Sequence, residues 1–187
     1  MITDLHREKN YLDFVLGYLT SAEICAETFL TSRGGKPTKY ANYLFIPAIY
    51  NLKHAFEIIG KFLLVRKLRI PPDQIKNYGH DFDKIINDFA KKHYTKPNED
   101  IIKLKALFNK YSTMPAINLC LKEMKVMRPT RDLKNQFFHY PEGNKCHRDI
   151  FYYGLVTTPK SGMVSFMEEL KNDIHKINKT FANIIHS

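Results

Sequence analysis

Three polar side chains in the second half of the chain have a spacing that could support chemistry. Arg131, Asn135 and His139 follow one another at intervals of four residues, within and just before the stretch "KNQFFHYPEG". If residues 131–140 are helical, side chains four apart share one face, so a guanidinium, an amide and an imidazole stand in a row. Lys134 lies one position further round the helix. The spacing therefore predicts a compact basic cluster that contains one titratable ring.

Cleavage of RNA without a metal uses a set of groups of this kind. A base must take the proton from the 2′-hydroxyl, and histidine suits this role because its unperturbed pKa lies near neutrality. Cations stabilise the charge that builds on the phosphate, and an amide such as that of Asn135 can hold the ribose or the imidazole in line. An isolated histidine on a helix is most often an ordinary surface or helix-end residue. The amphipathic end of a helix is therefore the alternative interpretation.

Basic residues recur at every third position around this cluster, at Lys122, Lys125, Arg128, Arg131 and Lys134. A strict three-residue step drifts by about 60° each time on an ideal helix, so the five cannot share one face. Pro129 also interrupts any helix here. We expect the first two lysines to lie on a solvated surface. Arg128, Arg131 and Lys134 lie nearer the histidine and are predicted to contact nucleic-acid phosphates.

The composition points in the same direction without specifying a ligand. The chain has 187 residues, of which 44% are hydrophobic and 26% charged, so we expect a globular protein with a single domain over residues 1–187. It carries 29 basic and 19 acidic residues, a net charge of +10. This charge favours a polyanionic partner such as RNA, DNA or an acidic protein, and the alternative is a solvated basic surface without a dedicated ligand.

Several function classes lose support because their motifs are missing from the sequence. The turn "RGGKP" lacks the flanks of a P-loop, and no G-x-G-x-x-G, H-E-x-x-H or G-x-S-x-G occurs. No spacing of histidines, cysteines or acids specifies a metal site, so we expect neither a metal nor a cofactor. Three widely spaced cysteines, no signal-peptide pattern and only short apolar runs predict a reduced, cytoplasmic protein without a membrane partner.

The elements that must position these residues are almost all predicted to be helices. Apolar residues at steps of three or four predict a helix over residues 4–32 and a second over residues 39–68, which Pro47 kinks or divides. The second has so broad an apolar face that it should be central. Its stripe consists of Leu52, Phe56, Ile59 and Leu63.

Helix signals continue after this central helix. Gly79 suits a left-handed turn, Asp81 and Asn98 are good N-caps, and a further helix is expected over residues 115–127. The last helix has a regular stripe from Val164 to Ile184, which we expect to dock on the protein's own core rather than to form a dimer seam. Ser165 and Glu168 resemble a capping box at its start. The sum is an all-α, up-down helical bundle of about five to seven helices, with a short β-hairpin near residues 150–158.

Three separated segments together resemble the HEPN domain family (higher eukaryote and prokaryote nucleotide-binding). "NLKHAFEIIGKFLL" is similar to the family's long helix, where an acidic residue lies in an apolar helix and a lysine follows. "NYGHDFDKII" resembles the Gly-His-Asp-hydrophobic turn that comes next in many members. "KNQFFHYP" is similar to the R-N-x-x-x-H motif, and the three occur in the family's order over about residues 51–141.

The resemblance implies a bundle that commonly forms a homodimer, with the motifs of both protomers facing one composite cleft. Many members are metal-independent ribonucleases, often the toxin of a toxin–antitoxin or anti-phage defence system, and others keep the fold without catalysis. It therefore implies RNA as the ligand and an antitoxin or a nucleotidyltransferase-like protein as a further partner. The competing interpretation is a non-catalytic module that binds nucleic acid, a nucleotide or a protein.

Carried over residue by residue, the motif implies catalytic roles for His139, Asn135, Lys134, Arg131 and Glu57. His139 matches the histidine, Asn135 the polar position, and Glu57 the acidic position of the long helix. Lys134 occupies the arginine's place and lacks the planar guanidinium that binds a phosphate through two parallel hydrogen bonds. Arg131, one turn earlier, could supply that guanidinium. Otherwise the site is degenerate and the protein is a binder.

Two further expectations concern the neighbours of this site. Glu57 needs a basic partner if it is buried in so apolar a helix. His80 and Asp81 are expected to be structural, with Asp81 capping a helix and His80 packing back on the bundle. The remaining histidines have no neighbours in the sequence that indicate chemistry: His54, His93, His147, His175 and His186.

Overall fold

A computed structural model describes residues 4–32, 44–112 and 160–187. These residues form six α-helices and one short 3₁₀ helix, Lys76–Tyr78, and contain no strand. The helices are α1 Asp4–Thr31, α2 Phe45–Leu68, α3 Pro72–Ile75, α4 Phe82–His93, α5 Glu99–Ser112 and α6 Lys160–His186. The all-α prediction is confirmed for this part of the chain. The predicted helix over 115–127, the cluster at 131–140 and the hairpin near 150–158 lie outside the described residues.

Helix α2 lies at the centre of the bundle and contacts α1, α4, α5 and α6. The predicted stripe is fully buried, together with the neighbouring small and aromatic side chains: Leu52, Ala55, Phe56, Ile59, Phe62 and Leu63. Burying one large apolar side chain stabilises a fold by about 1.5–3 kcal/mol, so this stripe fixes the rotation of α2. The rotation in turn decides where its few polar side chains point.

Helix α4 approaches α2 unusually closely at Gly60. A Cβ atom added to Gly60 would lie 2.6 Å from Cγ2 of Ile85, so no larger residue fits without movement. Phe82, the first residue of α4, also packs edge-on against Phe56 of α2, with the ring centroids 5.5 Å apart. This contact holds the start of α4 and the turn before it against the middle of α2.

Side-chain caps explain where two helices begin. Asp81 caps α4, because its Oδ1 accepts a hydrogen bond of 3.0 Å from the backbone N–H of Lys84, and Asn98 caps α5 in the same way. Gly79 has a φ of 59°, which favours glycine. These three predictions are confirmed. Pro47 lies in the first turn of α2, where its missing N–H is not needed, and α2 continues past it to Leu68. Residues 39–43 of the predicted helix lie outside the described residues, so a division of that helix at Pro47 stays a prediction.

Helix α6 completes the core by packing against α1, α2 and α5. Most of the predicted stripe is buried, which confirms docking on the protein's own core: Met167, Leu170, Ile174, Ile177, Phe181 and Ile184. The predicted capping box is wrong, since α6 begins at Lys160 and Ser165 already lies in its second turn. Asp173 joins α6 to α5: it is buried and accepts hydrogen bonds from Tyr111 and from Lys110.

Candidate functional site

Glu57 is the acidic residue of the apolar helix α2, and it lies where this helix meets the turn that precedes α4. Its side chain is 5% exposed. His54 and Lys61 are three residues before and four residues after it, so helical geometry brings all three to one face. The close approach of α4 to α2 brings His80 to the same carboxylate from the turn. We call Glu57, His54, Lys61 and His80 the Glu57 cluster.

The contacts within the Glu57 cluster are short. The ammonium of Lys61 donates to Oε1 of Glu57 at 2.6 Å. Nδ1 of His80 lies 3.0 Å from Oε1 and 2.9 Å from Oε2 of the same carboxylate. Nδ1 of His54 lies 3.6 Å from Oε2. One buried carboxylate therefore organises three basic side chains, two of them from its own helix and one from a turn 23 residues away.

These basic neighbours keep Glu57 ionised. Burial alone would raise the pKa of its carboxyl, but the interactions with His54, Lys61 and His80, and the positive charge of Lys61, lower the pKa to about 2. The carboxylate is thus charged at neutral pH, and Lys61 balances that charge. The cluster is a paired ionic site inside the bundle, as a buried charge requires.

His80 has the geometry of a histidine oriented by a carboxylate. An ionised carboxylate can only accept hydrogen bonds, so Nδ1 is the ring nitrogen that carries the proton toward Glu57. The side chain of His80 is 49% exposed. A carboxylate that fixes the tautomer and orientation of an imidazole is a recurrent arrangement in acid–base catalysis.

His54 lies in a more enclosed position on the other side of Glu57. Its ring stacks on Tyr18 of α1, with centroids 5.2 Å apart, and meets Tyr50 edge-on at 4.4 Å. Burial, followed by the nearby Tyr18 and Glu57, raises the pKa of Tyr50. The aromatic contacts fix the position of the His54 ring beside Glu57.

The structure answers some of the predictions about site residues and leaves others outside its described part. Glu57 is buried and has the expected basic partners. His139, Asn135, Lys134, Arg131 and Arg128 lie outside the described residues, so their catalytic and phosphate-binding roles stay predictions. Nothing in the described residues relates them to the Glu57 cluster.

Sequence reasoning missed three members of the cluster, although a signal for two of them was present. The segment "HAFEIIGK" places His54 and Lys61 at the helical spacing that brings both to Glu57. His80 was expected to pack back on the bundle as a structural residue. It does contact Glu57 of α2, with its side chain half exposed, and whether its role is structural or catalytic stays a prediction.

Residues 4–32, 44–112 and 160–187 contain no group of three or more histidine, cysteine or acidic side chains placed to hold a metal ion. Among the described helices, none combines the length and the apolar character needed to cross a bilayer.

Comparisons with known proteins assign no function, so the proposal below rests on the fold and on the candidate site. A scan against protein-family models, a search of curated proteins and a search of solved structures each found no match to this chain.

Proposed function

We propose that the protein is a HEPN-like, metal-independent endoribonuclease that acts as a homodimer with a composite basic cleft. The observation that carries this proposal is the buried carboxylate of Glu57, which holds the half-exposed ring of His80 through Nδ1. An ionised group in the apolar centre of a bundle is costly, and its pairing with a half-exposed histidine favours a chemical role. The net charge of +10 favours a polyanionic substrate.

The proposed reaction is cleavage of RNA by its own 2′-hydroxyl. A base removes the proton of this hydroxyl, the oxygen attacks the adjacent phosphorus, and the bond to the 5′-oxygen breaks as an acid protonates that oxygen. The products are a 2′,3′-cyclic phosphate and a 5′-hydroxyl. In this proposal His139 supplies one proton transfer and His80 the other. Asn135 positions the reacting groups, and Arg131 with Lys134 stabilises the charge on the phosphate.

The competing function is a non-catalytic module that binds nucleic acid, a nucleotide or a protein such as an antitoxin. The observation in its favour is Lys134, since lysine at this position lacks the bidentate fork of arginine. A binder of this kind would bind RNA through its basic surface with an affinity that falls steeply with salt. It would leave the RNA intact.

One experiment separates the two functions. Purified protein and its His139→Ala variant are incubated with single-stranded RNA and with tRNA in the presence of EDTA, and the products are resolved on a denaturing gel. Cleavage that persists in EDTA and is lost in the variant supports the ribonuclease. Intact RNA at high protein concentration, with salt-dependent binding retained, contradicts it and favours the binding module.

A further inference from the structure

The outer face of α1 carries an open groove next to the Glu57 cluster. Its volume is about 420 Å³, and one residue of α2 completes its wall. The lining residues are Asn10, Asp13, Phe14, Gly17, Tyr18, Ser21 and Asn51. The lining combines two aromatic rings with amide, hydroxyl and carboxylate groups.

The two aromatic rings of the groove extend from solvent toward the Glu57 cluster. Phe14 is 61% exposed, so its ring is accessible from solvent. It stacks on Tyr18, with centroids 6.3 Å apart and an angle of 27° between the planes. Tyr18 in turn stacks on His54, which contacts Glu57. A flat group bound against Phe14 would therefore lie at the outer end of a stack of rings that reaches the Glu57 cluster.

The polar groups that line the groove suit the edge of a nucleobase. The amides of Asn10 and Asn51 each offer donors and an acceptor, Ser21 offers a hydroxyl, and Asp13 can accept from an amino group. Gly17 leaves the groove open between these groups, because a Cβ atom added there would meet nothing within 4 Å. A planar aromatic ring with hydrogen-bonding groups at its edge matches both the aromatic and the polar groups of the lining.

The distribution of exposed apolar residues on α1 argues against a second copy of the chain as the occupant. Besides Phe14, α1 exposes Leu16 and Ile24. On an ideal helix Leu16 lies about 200° round the axis from Phe14, and Ile24 lies about 15 Å along it. The three side chains do not form one continuous apolar patch, which is the usual mark of a protein–protein interface.

We propose that this groove binds one unstacked nucleobase of single-stranded RNA, which stacks on Phe14 while its edge contacts polar groups of the lining. Stacking on an exposed aromatic side chain is how proteins hold single strands without strong sequence preference. The bound base would hold the strand beside the Glu57 cluster. This inference rests on the proposed function for its choice of RNA, and it adds a binding subsite that the reaction itself does not require.

Affinity measurements on uncleaved RNA test the subsite. In the His139→Ala background and in EDTA, fluorescence anisotropy gives the Kd for a labelled single-stranded oligonucleotide and for an abasic strand of the same length. Phe14→Ala should weaken binding of the intact strand by roughly 5- to 150-fold, the range found for loss of one base–aromatic stack, and leave the abasic strand unchanged. Gly17→Leu, which fills the groove, should have a similar effect. Ile102→Ala, which removes an exposed apolar side chain of α5, is the matched control and should bind both strands normally.

Three outcomes would overturn the subsite. In the first, Phe14→Ala and the control bind the intact strand with equal affinity. In the second, Phe14→Ala loses the same affinity for the intact and the abasic strand. In the third, sedimentation shows that Phe14→Ala converts a dimer to a monomer, without a loss of affinity specific to the intact strand.

The test also separates the subsite from the ribonuclease. If the protein cleaves no RNA but binds the intact strand through Phe14, the subsite is supported and the ribonuclease function is contradicted. If the protein cleaves RNA in EDTA but Phe14→Ala binds normally, the ribonuclease is supported and the subsite is contradicted.

Discussion

Replacing Glu57 with glutamine tests whether the buried carboxylate holds the cluster together. The change keeps the shape of the side chain and removes its charge, so Lys61 is left in the bundle without its counter-ion. The lowering of the Glu57 pKa from 4.5 to about 2 corresponds to about 3 kcal/mol of interaction with the charged form. Breaking a buried ion pair by removing one partner costs a comparable amount, about 3–5 kcal/mol. We therefore expect Glu57→Gln to lower the free energy of unfolding at pH 7 by about 3 kcal/mol.

The same interaction predicts how the difference between the two proteins depends on pH. The folded-state pKa of Glu57 lies below the unfolded value, so its contribution is complete above the unfolded pKa and is lost as the pH falls from about 4.5 toward 2. At pH 3 about 2 kcal/mol of the roughly 3 kcal/mol should be gone. Acidic groups outside the Glu57 cluster titrate in both proteins, so their contributions largely cancel in the difference between wild type and variant.

Urea denaturation followed by circular dichroism at 222 nm measures this difference at pH 7 and at pH 3. Glu99→Gln is the matched control, because Glu99 also forms an i, i+4 pair with a lysine, at 3.6 Å to Nζ of Lys103, but its side chain is 88% exposed. Such exposed pairs contribute well under 1 kcal/mol. The reasoning is refuted if Glu57→Gln costs no more than the control at pH 7, or if its cost is the same at both pH values.

Two further stability predictions concern contacts between helices. Asp173→Asn should lower the free energy of unfolding by about 2 kcal/mol, because it removes the charged acceptor of a buried hydrogen bond between α6 and α5. Glu169→Gln, a change at an exposed carboxylate, is the control. Equal free energies of unfolding for the two variants in urea would contradict this prediction. Gly60→Ala should cost about 1–3 kcal/mol despite the better helix propensity of alanine, because the new methyl group would overlap the stiff side chain of Ile85. Gly17→Ala, where the same atom meets open space, should instead raise the melting temperature, and equal effects at the two glycines would show that the close approach of α4 to α2 is not limiting.

The parts of the fold that sequence predicted correctly depend on local patterns. The stripe of α2 from Leu52 to Leu63 and the N-caps Asp81 and Asn98 follow from spacing and from residue type at a helix start, and both are properties of a few neighbouring residues. The capping box at Ser165 failed for the same reason. A local pattern marks a place where a helix could begin. Helix α6 begins at Lys160, so Ser165 already lies inside the helix and is not its N-cap.

The site was less predictable because its key contact is not local. The need of Glu57 for a basic partner followed from its apolar surroundings, and two candidates lay within one turn on the same helix. The contact with His80 depends on the chain reversing after α2 and on the fit of α4 at Gly60. No periodicity encodes that fit. The motif around His139 lies outside the described residues, so its relation to the Glu57 cluster stays a prediction.

The single-turnover rate of RNA cleavage in EDTA, measured for wild type and for His80→Ala, tests the proposed function most directly. His175→Ala is the matched control, since His175 also contacts a carboxylate, that of Glu23 at 3.3 Å, but on the surface between α6 and α1. Loss of a positioned acid or base typically costs about 10²–10⁴-fold in rate. We predict cleavage by wild type and by the control, with His80→Ala slower by at least about 100-fold. Absence of cleavage by wild type, or a His80→Ala rate equal to that of the control, would contradict the proposal.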